Sequence, residues 1–233
     1  MRLDKFLSNS TSLCRKEATL AIRKGRVKID GSTVTDPSLH IDENINKITI
    51  DDSVVRYKKY LYIMLNKPAG YVSSTDDPSG PTVLELLPEE LRTKKLFPCG
   101  RLDKYTTGLM IMTNDGVSTH FNLSPKHHAE KVYEFTTEKE LEHISELESG
   151  VHIEGGYFTK PCKITKTAPK GGKIVLTEGK YHQIKQMLHA VGNEIVTLRR
   201  ISFAGINLDA KLKEGQWREL TYEEELLFKN ANQ

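Results

Sequence analysis

The sequence predicts an α+β protein in which a small N-terminal module precedes a larger domain built on a mixed, largely antiparallel sheet. Three observations carry this expectation. Two short amphipathic stretches and an Asp-Gly hairpin signal fall within the first 55 residues. From Tyr60 onward, short strand-like runs dominate and helical patterns are interspersed among them, as in sheets with helices packed on them. A length of 233 residues also allows two domains, given roughly 100 to 200 residues per domain.

The elements follow in order. Leu3, Phe6 and Leu7 share one helical face, and Ala18, Ala21 and Ile22 continue an apolar stripe behind the basic pair Arg15-Lys16. RVKIDGSTVT alternates Val27 and Ile29 ahead of Asp30-Gly31, a two-residue hairpin signal, and KITID supplies a further short strand. The compact pattern ends near Val55. Residues 54–60, VVRYKKY, read as the connection, which divides the chain into modules 1–58 and 59–233. In the second module YLYIMLN, GLMIMT, KVYEFTT, KPCKITK, GKIVLTE and EIVTLRRISF read as strands, with helical patterns near 138–148, 181–191 and 222–229. The two glycines of PKGGK read as the turn joining KPCKITK to GKIVLTE. That stretch lacks the G-x-x-x-x-G-K-[ST] spacing of a phosphate loop.

Composition narrows the function. Hydrophobic residues make up 37% and charged residues 28% of the chain, as in an ordinary globular protein. The net charge of +3 is unevenly spread, because Arg2, Lys5, Arg15, Lys16, Arg23, Lys24, Arg26 and Lys28 face only Asp4 and Glu17 within residues 1–28, a local charge of +6. Such an excess suits a polyanion, whose condensed counterions Lys and Arg displace. A solvated helical face accounts for the same charges. Cys14, Cys99 and Cys162 form no C-x-x-C pair, so neither a disulfide framework nor a zinc knuckle is indicated, and they read as reduced, mostly buried thiols. No apolar run suits a signal peptide or a membrane span, so a cytoplasmic location is expected. No extra apolar face is evident, so a monomer is expected.

Three segments could carry chemistry. GRLDKYTTGLMIMTNDG, residues 100–116, sets Arg101 and Asp103 in a Gly-bounded turn before an apolar strand, a placement shared by catalytic loops and by simple turn-capping aspartates. EGKYHQIKQMLHAVGN, residues 178–193, puts Lys185 three residues beyond His182 on one side of a helix whose buried side is Met187, Leu188 and Val191. SPKHHAEKVYEF, residues 124–135, directs Lys131 and Tyr133 to one face of a strand and Val132 and Glu134 to the other. A Tyr there either stacks on a base or packs as a half-buried strand aromatic. His127-His128 has no third ligand at suitable spacing, so no metal site is expected.

In register, RLDKFL, LCRKEA and GRVKIDG resemble an S4 RNA-binding domain, and LNKPAGYVSS, GRLDKYTTGLMIMTNDG, EKVYEF and EGKYHQIKQM resemble the successive motifs of the RsuA family of pseudouridine synthases. The resemblance runs over essentially the whole chain. It implies Asp103 as the catalytic carboxylate, Tyr133 as the residue stacking on the target base and Lys185 as the basic residue that pairs with Asp103. It further implies Arg101 as the group filling the space left by the flipped base and Leu198 as a pocket wall. No cofactor or metal is implied.

Pseudouridine formation breaks N1–C1′, turns the uracil and rejoins it through C5, so the base must leave its stack. Whether the carboxylate attacks covalently or removes a sugar proton stays open. The paired His of SPKHHAEKVYEF resembles members acting on 16S rRNA, free or in a small-subunit assembly intermediate, more than those acting on 23S rRNA. Lys104-Tyr105 after GRLD and Gln186 after Lys185 depart mildly from the family pattern. The competing readings are a 23S rRNA synthase of the same family, and a noncatalytic assembly factor that binds RNA through its S4-like module. A metal or nucleotide enzyme lacks supporting motifs.

Overall fold

The computed structural model describes residues 1–11, 13–43, 45–55, 59–124, 126–127 and 129–230. The chain forms two compact units, one comprising Met1–Leu61 with Pro88–Leu96, the other Tyr62–Leu87 with the chain from Phe97 onward.

In the first unit, helices α1 (Leu3–Ser10) and α2 (Arg15–Arg23) precede strands β1 (Val27–Ile29), β2 (Ser32–Val34), β3 (Ile48–Ile50) and β4 (Ser53–Val55), which pair in the order β2-β1-β3-β4. Leu3, Phe6 and Leu7 of α1 and Ala18 and Ile22 of α2 meet Val27, Ile41 and Ile48 in one apolar core, as the helical periodicity predicts. Asp30 and Gly31 both take positive φ, 50° and 87°, giving the tight turn between β1 and β2. A second such turn at Asp51-Asp52 adds β4, so Val54 and Val55 belong to the sheet rather than to a connection. Arg56, Tyr57 and Lys58 of that expected connection lie outside the described residues, and Lys59 and Tyr60 are in no helix or strand.

The second unit opens with β5 (Tyr62–Lys67), buried throughout. The chain then contributes the short helix α3 (Glu89–Arg92) to the first unit before returning through β6 (Phe97–Pro98) and β7 (Thr107–Thr113). Helix α4 (Gly116–Leu123), β8 (Lys131–Thr137), α5 (Ile144–Ser149), the hairpin β9 (His152–Ile153) and β10 (Tyr157–Phe158), β11 (Lys163–Ala168) and β12 (Gly171–Leu176) follow. The chain closes with α6 (Gln183–Ala190), β13 (Ile195–Phe203), β14 (Ile206–Asn207), β15 (Trp217–Glu219) and α7 (Tyr222–Asn230). The main sheet runs β11-β12-β8-β13-β7-β5-β15, with β14 beside β13 and β6 beside β7. Among these, only β13 and β7 pair in parallel.

Several expectations require correction. The turn between β11 and β12 is made by Pro169-Lys170, and Gly171 and Gly172 are buried strand residues instead. A Cβ on Gly172 would come within 3.0 Å of the Thr165 carbonyl and 3.1 Å of Leu141, so the glycine answers to close packing. The helical pattern at 138–148 contracts to α5, preceded by His143 in the left-handed region (φ 54°). Helix α4 lies outside the helical patterns read from the sequence: Asp115 caps it by accepting from the Val117 and Ser118 amides at 3.0 and 3.2 Å. The cysteines are not mostly buried, since Cys14 is exposed at the N-cap of α2, Cys162 is half-buried and Cys99 alone is fully enclosed.

Candidate active site

Asp103 lies in the loop between β6 and β7, and backbone geometry fixes that loop from below. Lys67, the last residue of β5, has no exposed surface, and its ammonium donates to the carbonyls of Asp103 (3.2 Å), Lys104 (3.0 Å), Thr106 (2.8 Å) and Pro68 (3.2 Å). Burial pulls its pKa down to about 8, partly offset by the Asp103 charge. Ser73 pins the neighbouring backbone, its hydroxyl donating to Leu102 O at 2.7 Å and accepting from Leu102 N at 3.0 Å.

Helix α6 and its N-cap bring Lys185 and His182 to the carboxylate. Lys185 Nζ lies 2.7 Å from Asp103 Oδ2, and His182 Nε2 lies 3.5 Å from Oδ1. His182 occupies the N-cap position with φ 48°, and three residues of helical rise carry Lys185 to the same side. The turn leading into α6 is braced by Glu178. Its buried carboxylate accepts from Tyr157 Oη (2.7 Å), the Lys160 amide (2.9 Å) and Gln183 Nε2 (2.7 Å).

Strands β8 and β13 supply the remaining walls. Arg101, Asp103, Lys131, Tyr133, Lys185 and Leu198 line one pocket of about 260 Å³, so the five residues expected from the motifs converge in space. Tyr133 and Leu198 are buried, and Arg101 is exposed at the rim. Lys131 faces the pocket beside Tyr133, as alternation predicts, and burial together with Arg200 lowers its pKa. Arg200, opposite Tyr133 in the β8–β13 register, is only 2% exposed; its Nε donates to Leu109 O at 2.8 Å and its guanidinium stands 5.0 Å from the Phe203 ring centroid. Sequence reasoning passed over Arg200, Lys67 and Glu178, although LNKPAG and EGKYHQ both carried a signal. A Lys inside an apolar strand and a Glu beside a Gly at a helix entrance must find partners within the fold.

One carboxylate held between an ammonium and an imidazole, in an open pocket floored by a Tyr and a Leu, can act as base or nucleophile on a planar ligand. Among the described residues no group of three His, Cys, Asp or Glu side chains could hold a metal ion. His127 stacks on Phe121, with centroids 3.5 Å apart, and His128 lies outside the described residues.

On the first unit, Arg2, Lys5, Arg15, Lys16, Arg23, Lys24 and Arg26 are exposed and Lys28 is half-buried. Arg2 and Arg15 pair with Asp4, Arg26 with Asp51 and Lys28 with Asp52. Among the described residues Lys5, Lys16, Arg23 and Lys24 form no ion pair.

Residues 61–190 match the family model described as RNA pseudouridylate synthase, and residues 1–44 match the S4 domain. The chain is 47% identical over 231 residues to the RNA pseudouridine synthase YtzG of Bacillus subtilis, with 96% of each chain covered. It is 40% identical over 227 residues to the ribosomal small subunit pseudouridine synthase A of Escherichia coli K12, covering 96% of this chain and 98% of that one. A crystal structure of a pseudouridylate synthase superposes with a TM-score of 0.68 at 38% identity, covering 97% and 99% of the two chains. The chain belongs to the RNA pseudouridylate synthase family. It is a pseudouridine synthase, an isomerase, with an S4 domain at its N-terminus.

Proposed function

We propose that this enzyme converts a uridine of 16S rRNA to pseudouridine, with Asp103 as its catalytic carboxylate. The observation that carries the reading is the Asp103–Lys185 pair at 2.7 Å on the wall of a pocket that also holds Tyr133. The small-subunit assignment is supported by the 40% identity to a synthase named for that subunit and by the paired-His stretch before β8.

In this reading the target nucleotide leaves its stack and its uracil enters the pocket over Tyr133, while Arg101 at the rim fills the vacated space. Leu198 closes the apolar wall. Lys185 pairs with Asp103 and orients it, and the carboxylate assists cleavage of N1–C1′. The uracil turns, C5 bonds to C1′, C5 gives up its proton and N1 gains one, so the net change is an isomerisation. The cations Arg2, Lys5, Arg15, Lys16, Arg23, Lys24, Arg26 and Lys28 bind RNA phosphates and position the substrate, so affinity and chemistry fall to different units.

The test incubates purified protein with 16S-containing and 23S-containing transcripts and partial particles, maps pseudouridine by carbodiimide-dependent primer-extension stops, and runs Asp103→Asn in parallel. A stop in 16S RNA is expected, weakened by roughly 10²- to 10⁴-fold or more in the variant. A stop confined to 23S RNA would move the substrate to the large subunit. Tight RNA binding with no stop on either would favour an assembly factor.

A further inference from the structure

Beside the candidate site lies an aromatic surface that the uracil pocket does not use. Tyr181 sits one residue before His182 and is 69% exposed. One face of that ring stacks on His182, with centroids 3.9 Å apart and planes 21° from parallel. His182 in turn touches Asp103, so the platform begins one side chain from the carboxylate.

The platform is built rather than incidental. Gln186 Nε2 donates to the Tyr181 carbonyl at 2.8 Å, while its Oε1 accepts from the Glu154 amide at 2.8 Å, tying the turn to the β9–β10 hairpin. The Lys180 amide donates to Gln183 Oε1 at 2.9 Å. Beyond His182 the surface continues as a second concavity lined by His152, Glu154, Lys185, Gln186, His189 and Glu194. His182 and Lys185 line both concavities, so the second is continuous with the first. Lys180, adjoining Tyr181 in the chain, has its ammonium 4.1 Å from the Tyr157 ring centroid and supplies charge for a phosphodiester, whereas Lys185 is paired with Asp103.

We infer that Tyr181 is a stacking platform for the unpaired nucleotide adjoining the flipped uridine, with Lys180 near its phosphate. This deepens the proposed function and rests on it for the identity of the flipped base. A flat ring backed by an imidazole and open on its other face accepts any base, which suits a single-stranded neighbour, because stacking is tolerant of sequence. Extrusion of the target base leaves its neighbour without a stacking partner, and the platform replaces that partner.

The test uses the full-length chain. In Tyr181→Trp, indole fluorescence is followed against an RNA hexanucleotide with a central uridine, and against the same oligomer with an abasic residue on the 5′ or the 3′ side. Quenching is expected with the intact oligomer and with one abasic version, and lost with the other. In parallel, Tyr181→Ala is assayed on the 16S transcript. It should raise KM about five- to 150-fold, the range for loss of one base–aromatic stack, with kcat within about threefold and Tyr181→Trp restoring KM. Equal quenching by all three oligomers, or an unchanged KM in Tyr181→Ala, would overturn the platform. Abasic-sensitive quenching without any pseudouridine would sustain the platform and reject the catalytic reading instead.

Discussion

The Lys67 ammonium serves four backbone carbonyls and touches no pocket surface, which separates holding the loop from doing the chemistry. Lys67→Met should therefore lower stability by about 2 to 4 kcal/mol in denaturant unfolding, since buried acceptors lose their donor, while costing far less activity than Asp103→Asn. The pH dependence has a definite sign. With a folded pKa of about 8 against 10.5 in the unfolded chain, the unfolded state binds more protons between those values, so this group makes stability rise with pH across that window. The gap between wild type and Lys67→Met should widen from pH 7.5 to pH 9.5, and a gap that narrows would show that burial does not govern this lysine. Spacing alone could not have separated Asp103 from an ordinary turn-capping aspartate. Its neighbours Lys185 and Tyr133 come from segments 30 or more residues away, and only the order of the motifs joined them. Tyr181 lies within the EGKYHQ motif, but no role could be read for it from periodicity, because an exposed aromatic at a helix entrance has no periodic partner.

Among the elements, the strands were the most legible. KVYEFTT corresponds to β8 residue for residue, because alternation and β-branched content act locally. Helix α4 was missed because its stability comes from the Asp115 cap, tied to Tyr62 Oη at 2.6 Å across more than fifty residues, and not from a clear apolar stripe. The parallel contact of β13 with β7 was equally hidden, since it depends on backbones approaching at Gly108. A Cβ there would lie 2.2 Å from the Arg200 carbonyl, and the residue's φ of 99° suits glycine alone. Gly108→Ala is expected to cost about 2 to 4 kcal/mol by denaturant unfolding, overpacking adding to backbone strain. Gly116→Ala, in a helix and with nothing within 4 Å of the added methyl, should shift stability by less than about 1 kcal/mol.

At the scale of the whole molecule, the charge excess of residues 1–28 and the pocket of the second unit belong to separate bodies, and their contributions should separate experimentally. Replacing Lys16 and Arg23 with Ala removes two exposed cations that form no ion pair among the described residues. The slope of log affinity against log salt should then flatten by roughly 1.4 to 1.8, while single-turnover kcat at saturating RNA stays unchanged. A fall in that kcat with an unaltered slope would contradict the division of labour.

The detour of residues 88–96 into the first unit bears on how the chain is made. Lys94 donates its ammonium to Ser8 O and lies 3.4 Å from the carbonyls of Thr11 and Leu13, so the C-terminal end of α1 and the turn after it are finished by a side chain synthesised more than eighty residues later. A cation at that end satisfies carbonyls that the helix cannot. During translation the first unit thus emerges incomplete and acquires its last piece only after β5, a strand of the other unit, has left the ribosome. A fragment cut after Leu61 would carry every basic residue proposed to bind RNA phosphates yet lack the clasp that closes the unit.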